Sequence, residues 1–170
     1  VTEIKSWRDK STMELAGIIL NEYENANILD RPQEICVDVI GIGAGVVDRL
    51  IELDLPARGI NVSESASMSE KYMRMRDELW GKAREWFEQK DCKIPDDATL
   101  IHELATPRFA FTSTGKIKIE SKDEMRKRGI RSPDIADAFC LTLASNAVIG
   151  VHGSKFAWKQ TIETDTNWIV

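Results

Sequence analysis

The chain has 170 residues, enough for one compact domain with a core of its own. Apolar residues make up 42% and charged residues 30%, a balance that excludes a disordered chain, and no run approaches the ~20 apolar residues of a membrane span. The net charge of −5 argues against a general nucleic-acid binder, although eight basic and three acidic residues between Arg108 and Arg131 give that stretch +5. The three cysteines, Cys36, Cys92 and Cys140, lack metal-ligand spacing and read as buried thiols of a reducing cytoplasm. The chain opens on Val rather than Met, so it is expected to be a segment of a longer polypeptide.

Val1 to Trp7 alternates with the period of a strand. Ser11-Thr12-Met13-Glu14 is a capping box ahead of Leu15, Ile18, Ile19 and Tyr23 at helical spacing. Ile35 to Ile40 reads as a strand covered on both faces, broken by Gly41-Ile42-Gly43-Ala44-Gly45, after which Val46, Val47, Leu50 and Ile51 start a helix. Leu55 to Val62 contains the next strand. Ser67 to Glu70 is a second capping box, expected to open a long helix with Tyr72, Met75, Leu79, Ala83 and Trp86 on one face. Phe109 to Thr112 and Lys116 to Ser121 flank Thr114-Gly115 as a hairpin. Ser121 to Glu124 is a third capping box, and Ser132-Pro133 opens a last helix that is apolar nearly all round as far as Ile149. This alternation predicts an α/β domain over residues 1–150 and a tail over 151–170.

Asp38 stands inside an apolar strand near its C-terminal end, where open α/β sheets place ligands. It is either part of a site or a cap on the backbone amides of the glycine turn. Asp137 lies one turn inside the last helix, and Asp134 falls on the same side, where it also complements the helix N-terminus. Buried carboxylates that converge would repel one another unless a cation sits between them, and oxygen-only ligation suits Mg²⁺ or Mn²⁺. Asp38 and Asp137 are therefore expected to share a divalent ion, and neutralising either is expected to leave the fold intact or stabilise it. The glycine turn also invites comparison with a dinucleotide-binding unit, with Glu64 as the acidic ribose ligand, but its spacing departs from that motif. His102 and His152 read as structural or surface residues.

Val37-Asp38-Val39-Ile40-Gly41-Ile42-Gly43-Ala44-Gly45-Val46-Val47-Asp48 resembles the second acidic strand and following turn of the large terminase subunit of tailed bacteriophages. Lys116-Ile117-Lys118-Ile119-Glu120-Ser121-Lys122-Asp123-Glu124-Met125 is similar to that family's hairpin and basic helix start. Arg131-Ser132-Pro133-Asp134-Ile135-Ala136-Asp137-Ala138-Phe139 is similar to its terminal catalytic helix, and the resemblance covers roughly Val1 to Ala147. It implies a ribonuclease H-like mixed sheet with flanking helices and a β-hairpin. It also implies a metal-dependent endonuclease domain that cuts concatemeric double-stranded DNA in the cytoplasm of the infected host. Asp38 and Asp137 would be the second and third acidic metal ligands and Asp134 an accessory one, holding a pair of Mg²⁺ or Mn²⁺ ions. Lys116, Lys118, Lys122, Arg126, Lys127 and Arg128 would hold the DNA backbone. The implied partners are an ATPase domain of the same polypeptide, the portal protein and the small terminase subunit. The family's first acidic ligand has no counterpart in Val1 to Trp7, where only Glu3 is acidic, so it is expected upstream. The alternative is a catalytically incomplete DNA-clamping or portal-docking domain. In the tail, Phe156 and Trp158 are expected to fold back, and Trp168 is a candidate docking residue.

Overall fold

The structure, a computed structural model, describes residues 3–144. Ser11 caps α1 (Thr12–Asn25) through the reciprocal capping box with Glu14, as the sequence pattern requires. β1 (Ile35–Asp38) and β2 (Ala57–Ile60) pair in parallel, and α2 (Gly43–Glu52) makes the crossover between them. α3 (Met75–Glu88) and α4 (Ala98–Ala105) follow, then the antiparallel hairpin of β3 (Phe109–Phe111) and β4 (Ile117–Ile119). α5 (Lys122–Lys127) and α6 (Asp134–Leu141) complete the described elements, with a 3₁₀ turn at Thr142–Ala144.

The parallel pair lies between two apolar clusters, and the period-2 geometry of β1 assigns its side chains to them. Ile35 and Val37 pack against the α1–α2 side, built on Ala16, Val46, Leu50 and Leu55. Cys36 faces the other cluster, which joins Ile60 to Leu79, Trp80, Ala83, Leu100, Ala136, Phe139 and Leu141 of α3, α4 and α6. Asp38, two residues on from Cys36, therefore projects on the α3–α6 side. Trp86, Phe87 and Phe139 lock α3 to α6, with ring centroids 5.0 to 5.9 Å apart.

Four sequence expectations change. The opening segment forms no strand over its described residues 3–7. Its side chains hold it instead: Ile4 packs on the α3–α6 cluster while Lys5 pairs with Glu22. β1 stops at Asp38 and is half-buried rather than covered on both faces, because Gly41 turns the chain in the left-handed region at φ 74°. The long helix starts at Met75 and not after Ser67, since the Ser67 hydroxyl is taken by the buried carboxylate of Glu78; Asp77 receives the Arg74 N–H at 2.9 Å instead. Cys36 and Cys92 are only partly buried. The helix extension to Ile149, His152, Phe156, Trp158 and Trp168 lie outside the described residues. No described helix is long and apolar enough to cross a membrane.

Candidate active site

A cleft of about 330 Å³ opens at the C-terminal end of β1, between that strand, α3 and the start of α6. Asp38, Asp134 and Asp137 all line it, although 99 positions separate the first from the last. Arg76, Trp80 and Lys122 line it with them. The topology, not any local pattern, makes this meeting: β1 ends at the cleft, α6 packs against β1, and α3 packs against α6.

Asp137 is held on three sides. Its Oδ1 accepts from Arg76 Nε at 3.0 Å and Trp80 Nε1 at 2.8 Å, and Lys122 Nζ lies 3.1 Å from Oδ2. Lys122 reaches Asp134 at 3.0 Å as well, so one ammonium bridges the two carboxylates of α6. Burial alone would lower the Lys122 pKa, but its bond to Asp134 and the charge of Asp137 outweigh that and raise it. The Ser132 hydroxyl donates to Asp134 at 2.6 Å and, against the opposing effect of burial and together with Lys122, holds its carboxyl below the ordinary range. Asp134 and Asp137 are thus paired with the protein's own cations. Lys122 leaves the basic strip for the cleft.

Asp38 behaves differently from the buried charge expected of it. Its side chain is exposed, and its one described bond is from the Ile40 N–H at 3.0 Å, the backbone-capping role the turn offered. Two glycines of that turn have structural reasons: Gly41 takes a left-handed φ of 74°, and Gly43 is closely packed. A Cβ on Gly43 would sit 1.7 Å from the Asp38 carbonyl oxygen. Among the described residues, no group of three or more His, Cys, Asp or Glu side chains converges tightly enough to hold a metal ion in this arrangement. Cys36 and Cys140 also line the cleft. Burial pushes the Cys36 thiol up to about 11, aided by the Glu34 charge, and burial raises Cys140 further, so neither supplies a thiolate at neutral pH.

The basic strip is divided by its neighbours. Arg128 pairs with Glu120, Arg126 with Asp123 and Lys118 with Glu124. Lys116 and Lys127 have no ion pair among the described residues; Lys127 is exposed and Lys116 partly buried. His102 sits exposed on α4, as expected of a surface residue.

Sequence reasoning did not find Arg76, Trp80 or Glu103. Pro133 offers no capping side chain to α6, and the Glu103 carboxylate of α4 takes the Ile135 and Ala136 N–H groups at 2.8 and 2.9 Å. It thereby fixes the helix that carries Asp134 and Asp137. Its partners lie more than thirty positions away, so no local spacing signals it. Replacing Glu103 with Ala is expected to cost about 2 kcal/mol by stranding two helix-end donors. Thermal unfolding should then shift down by roughly 4–8 °C, and an unchanged midpoint would show that water caps the helix equally well.

No protein-family model matches the sequence, and no curated protein matches it. Solved structures do. The nuclease domain of the large terminase subunit gp2 of bacterial virus Sf6 superposes with a TM-score of 0.59 and 20% identity, over 80% of this chain and 71% of that one. A lysine-to-alanine mutant of the same nuclease domain, with manganese and beta-thujaplicinol, gives a TM-score of 0.57 and 17% identity over 85% of this chain and 75% of that one. A mutant form with calcium gives 0.54 and 19%, over 76% and 70%. The chain has the ribonuclease H-like α/β fold of these nuclease domains, in agreement with the resemblance read from its three sequence blocks.

Proposed function

We propose that this chain is a divalent-metal-dependent nuclease domain of the terminase type, hydrolysing phosphodiester bonds of double-stranded DNA. The observation that supports this most directly is that Asp38, Asp134 and Asp137 line one cleft of a fold shared with terminase nuclease domains. The donor set suits a hard cation. It is made of carboxylate oxygens, and the Lys122 ammonium already lies between two of them, so the cleft accommodates positive charge there. Asp38, Asp137 and, in an accessory role, Asp134 would hold Mg²⁺ or Mn²⁺. Bound there, such ions supply water activation and neutralisation of charge on the phosphate.

The chain's own residues prepare the rest. Trp80 and Arg76 fix the Asp137 carboxylate in one orientation through Oδ1, which leaves Oδ2, the oxygen that Lys122 contacts, turned to an incoming cation. Asp38 keeps most of its lone pairs open, because among the described residues it accepts one backbone hydrogen bond. Arg76 Nη2 is buried without a hydrogen-bond partner among the described residues, a donor suited to an incoming anion. Lys116 and Lys127 offer free cations to the DNA backbone, a contact that positions without reading sequence. An ATPase domain in the same polypeptide, a portal protein and a small terminase subunit are the partners this reading implies.

Nicking of supercoiled plasmid tests it. Cleavage is expected in Mn²⁺ or Mg²⁺, to be abolished by chelation, and to show no preferred sequence. DNA binding without cleavage at any divalent concentration would favour a clamping domain of the same fold over a nuclease.

A further inference from the structure

The outer strand of the hairpin carries an aromatic surface that the cleft chemistry does not use. Phe109 and Phe111 are 55% and 67% exposed, and no described element covers either ring. Their rings meet edge to face, with centroids 5.9 Å apart and planes at 86°. The register sets Phe109 opposite Ile119 and Phe111 opposite Ile117, so all four side chains share one face. The isoleucines occupy its inner half and the phenylalanines overhang into solvent.

The hairpin that presents them is held rigidly. Asp77, 3% exposed, accepts the Ile119 N–H at 2.8 Å, and Arg76 Nη1 donates to the Glu120 carbonyl at 3.0 Å. Lys71 and Met73 bond the Ile117 backbone on its other side. At the turn, Gly115 takes the left-handed conformation at φ 80°, and the Thr112 hydroxyl accepts the Lys116 N–H. Arg76 also holds Asp137, so the hairpin and the carboxylate cleft hang on the same side chain. Arg108, Lys116 and Lys118 alternate with these four positions and so emerge on the hairpin's opposite face, Lys118 toward Glu124. The stretch from Arg108 to Arg131 is +5 in a chain of −5. A narrow hairpin with apolar rings on one face and cations on the other complements a polyanion that also has π faces. A purely apolar protein surface would gain nothing from the cations.

We propose that Phe109 and Phe111 form a stacking surface for the bases of DNA, with Lys116 and its neighbours on the adjoining phosphates. The inference rests on the nuclease reading for its ligand. Stacking requires an accessible base, so unpaired strands and melted steps are favoured over closed duplex. The hairpin therefore grips DNA where the helix is open.

The test uses the full 170-residue chain with a 20-nucleotide single strand carrying 2-aminopurine and the same sequence as a duplex, in EDTA to prevent cleavage. Wild-type protein is expected to quench the single-stranded probe and to bind it more tightly than the duplex. Phe109→Ala/Phe111→Ala should lose the quench and weaken single-strand binding by about tenfold, with an unchanged dependence on salt. Lys116→Ala should retain the quench and reduce the log–log salt slope by ~0.7. If the alanine pair unfolds by circular dichroism, Phe109→Leu/Phe111→Leu decides, because leucine keeps apolar bulk and removes the aromatic face. Binding and quench preserved in a folded alanine or leucine pair would overturn the stacking surface and leave the nuclease reading standing. Wild-type protein that binds neither probe would overturn both. A phenylalanine variant whose salt slope falls like that of Lys116→Ala would show the effect to be ionic, against the proposal.

Discussion

Replacing Asp137 with Asn is expected to reduce metal-dependent cleavage by at least ~10³-fold and, in the same variant, to weaken the fold by about 2 kcal/mol. The first effect follows from the loss of a charged ligand in the cleft. The second reverses what acidic repulsion suggested from sequence. Asp137 is 20% exposed and Arg76 16%, and the pair is joined by two further donors, Trp80 and Lys122. Asparagine can still accept from Trp80, but it leaves the guanidinium of Arg76 half-buried without its counter-charge. Asp38→Asn provides the contrast. Asp38 is exposed and accepts one backbone bond that an amide oxygen also accepts, so stability should stay within roughly 0.5 kcal/mol while cleavage falls as severely. Plasmid nicking and thermal melts on both variants check the pair of outcomes. Wild-type cleavage by Asp38→Asn would remove that residue from the site, and a stabilised Asp137→Asn would remove the ion-pair account of the cleft.

The second large effect lies at Glu78, the fully buried carboxylate near the start of α3. It receives the Ser67 hydroxyl and the Met68 N–H, and Lys82 approaches to 2.9 Å. Burial pushes its pKa up, but these three partners together outweigh burial and bring it below the ordinary value of 4.5. A carboxyl whose folded pKa is depressed stabilises the protein fully above its unfolded pKa, and that stabilisation is lost as pH falls through the folded value. The wild type should therefore lose stability below about pH 4.5. Glu78→Gln should lose less over the same interval. Glu78→Ala should cost about 3–4 kcal/mol at pH 7, since it strands two donors and opens a void. Urea midpoints at pH 7 and pH 3.5 for the three proteins measure both. Equal acid sensitivity of wild type and Glu78→Gln would shift the acid response to other carboxylates.

Much of this architecture is local and was legible along the chain. The capping boxes at Ser11 and Ser121 and the hairpin around Thr114-Gly115 depend on contacts within a few residues, and the β–α–β passage through Asp38 shows in the alternation of its elements, so spacing reveals each directly. Asp38 and Asp137 stood out as carboxylates in apolar elements, and the structure places both, with Asp134, along one cleft. The capping box at Ser67 failed for a physical reason: a buried carboxylate eleven residues away competes for its hydroxyl more strongly than a helix end in water.

What only the tertiary structure decided is the charge state and support of the site. Sequence spacing shows that Asp134 and Asp137 share a helix side, but not that Arg76 and Lys122 arrive from α3 and α5 to neutralise them. Nor does it show that Glu103 caps their helix from α4, or that Asp38 is exposed at the end of its strand. Composition places a carboxylate in an apolar segment. Whether that carboxylate is costly, paired or simply solvated depends on which distant side chains the packing of helices on the sheet brings within 3 Å, and Coulomb energy is governed by that distance and by burial, not by separation along the chain.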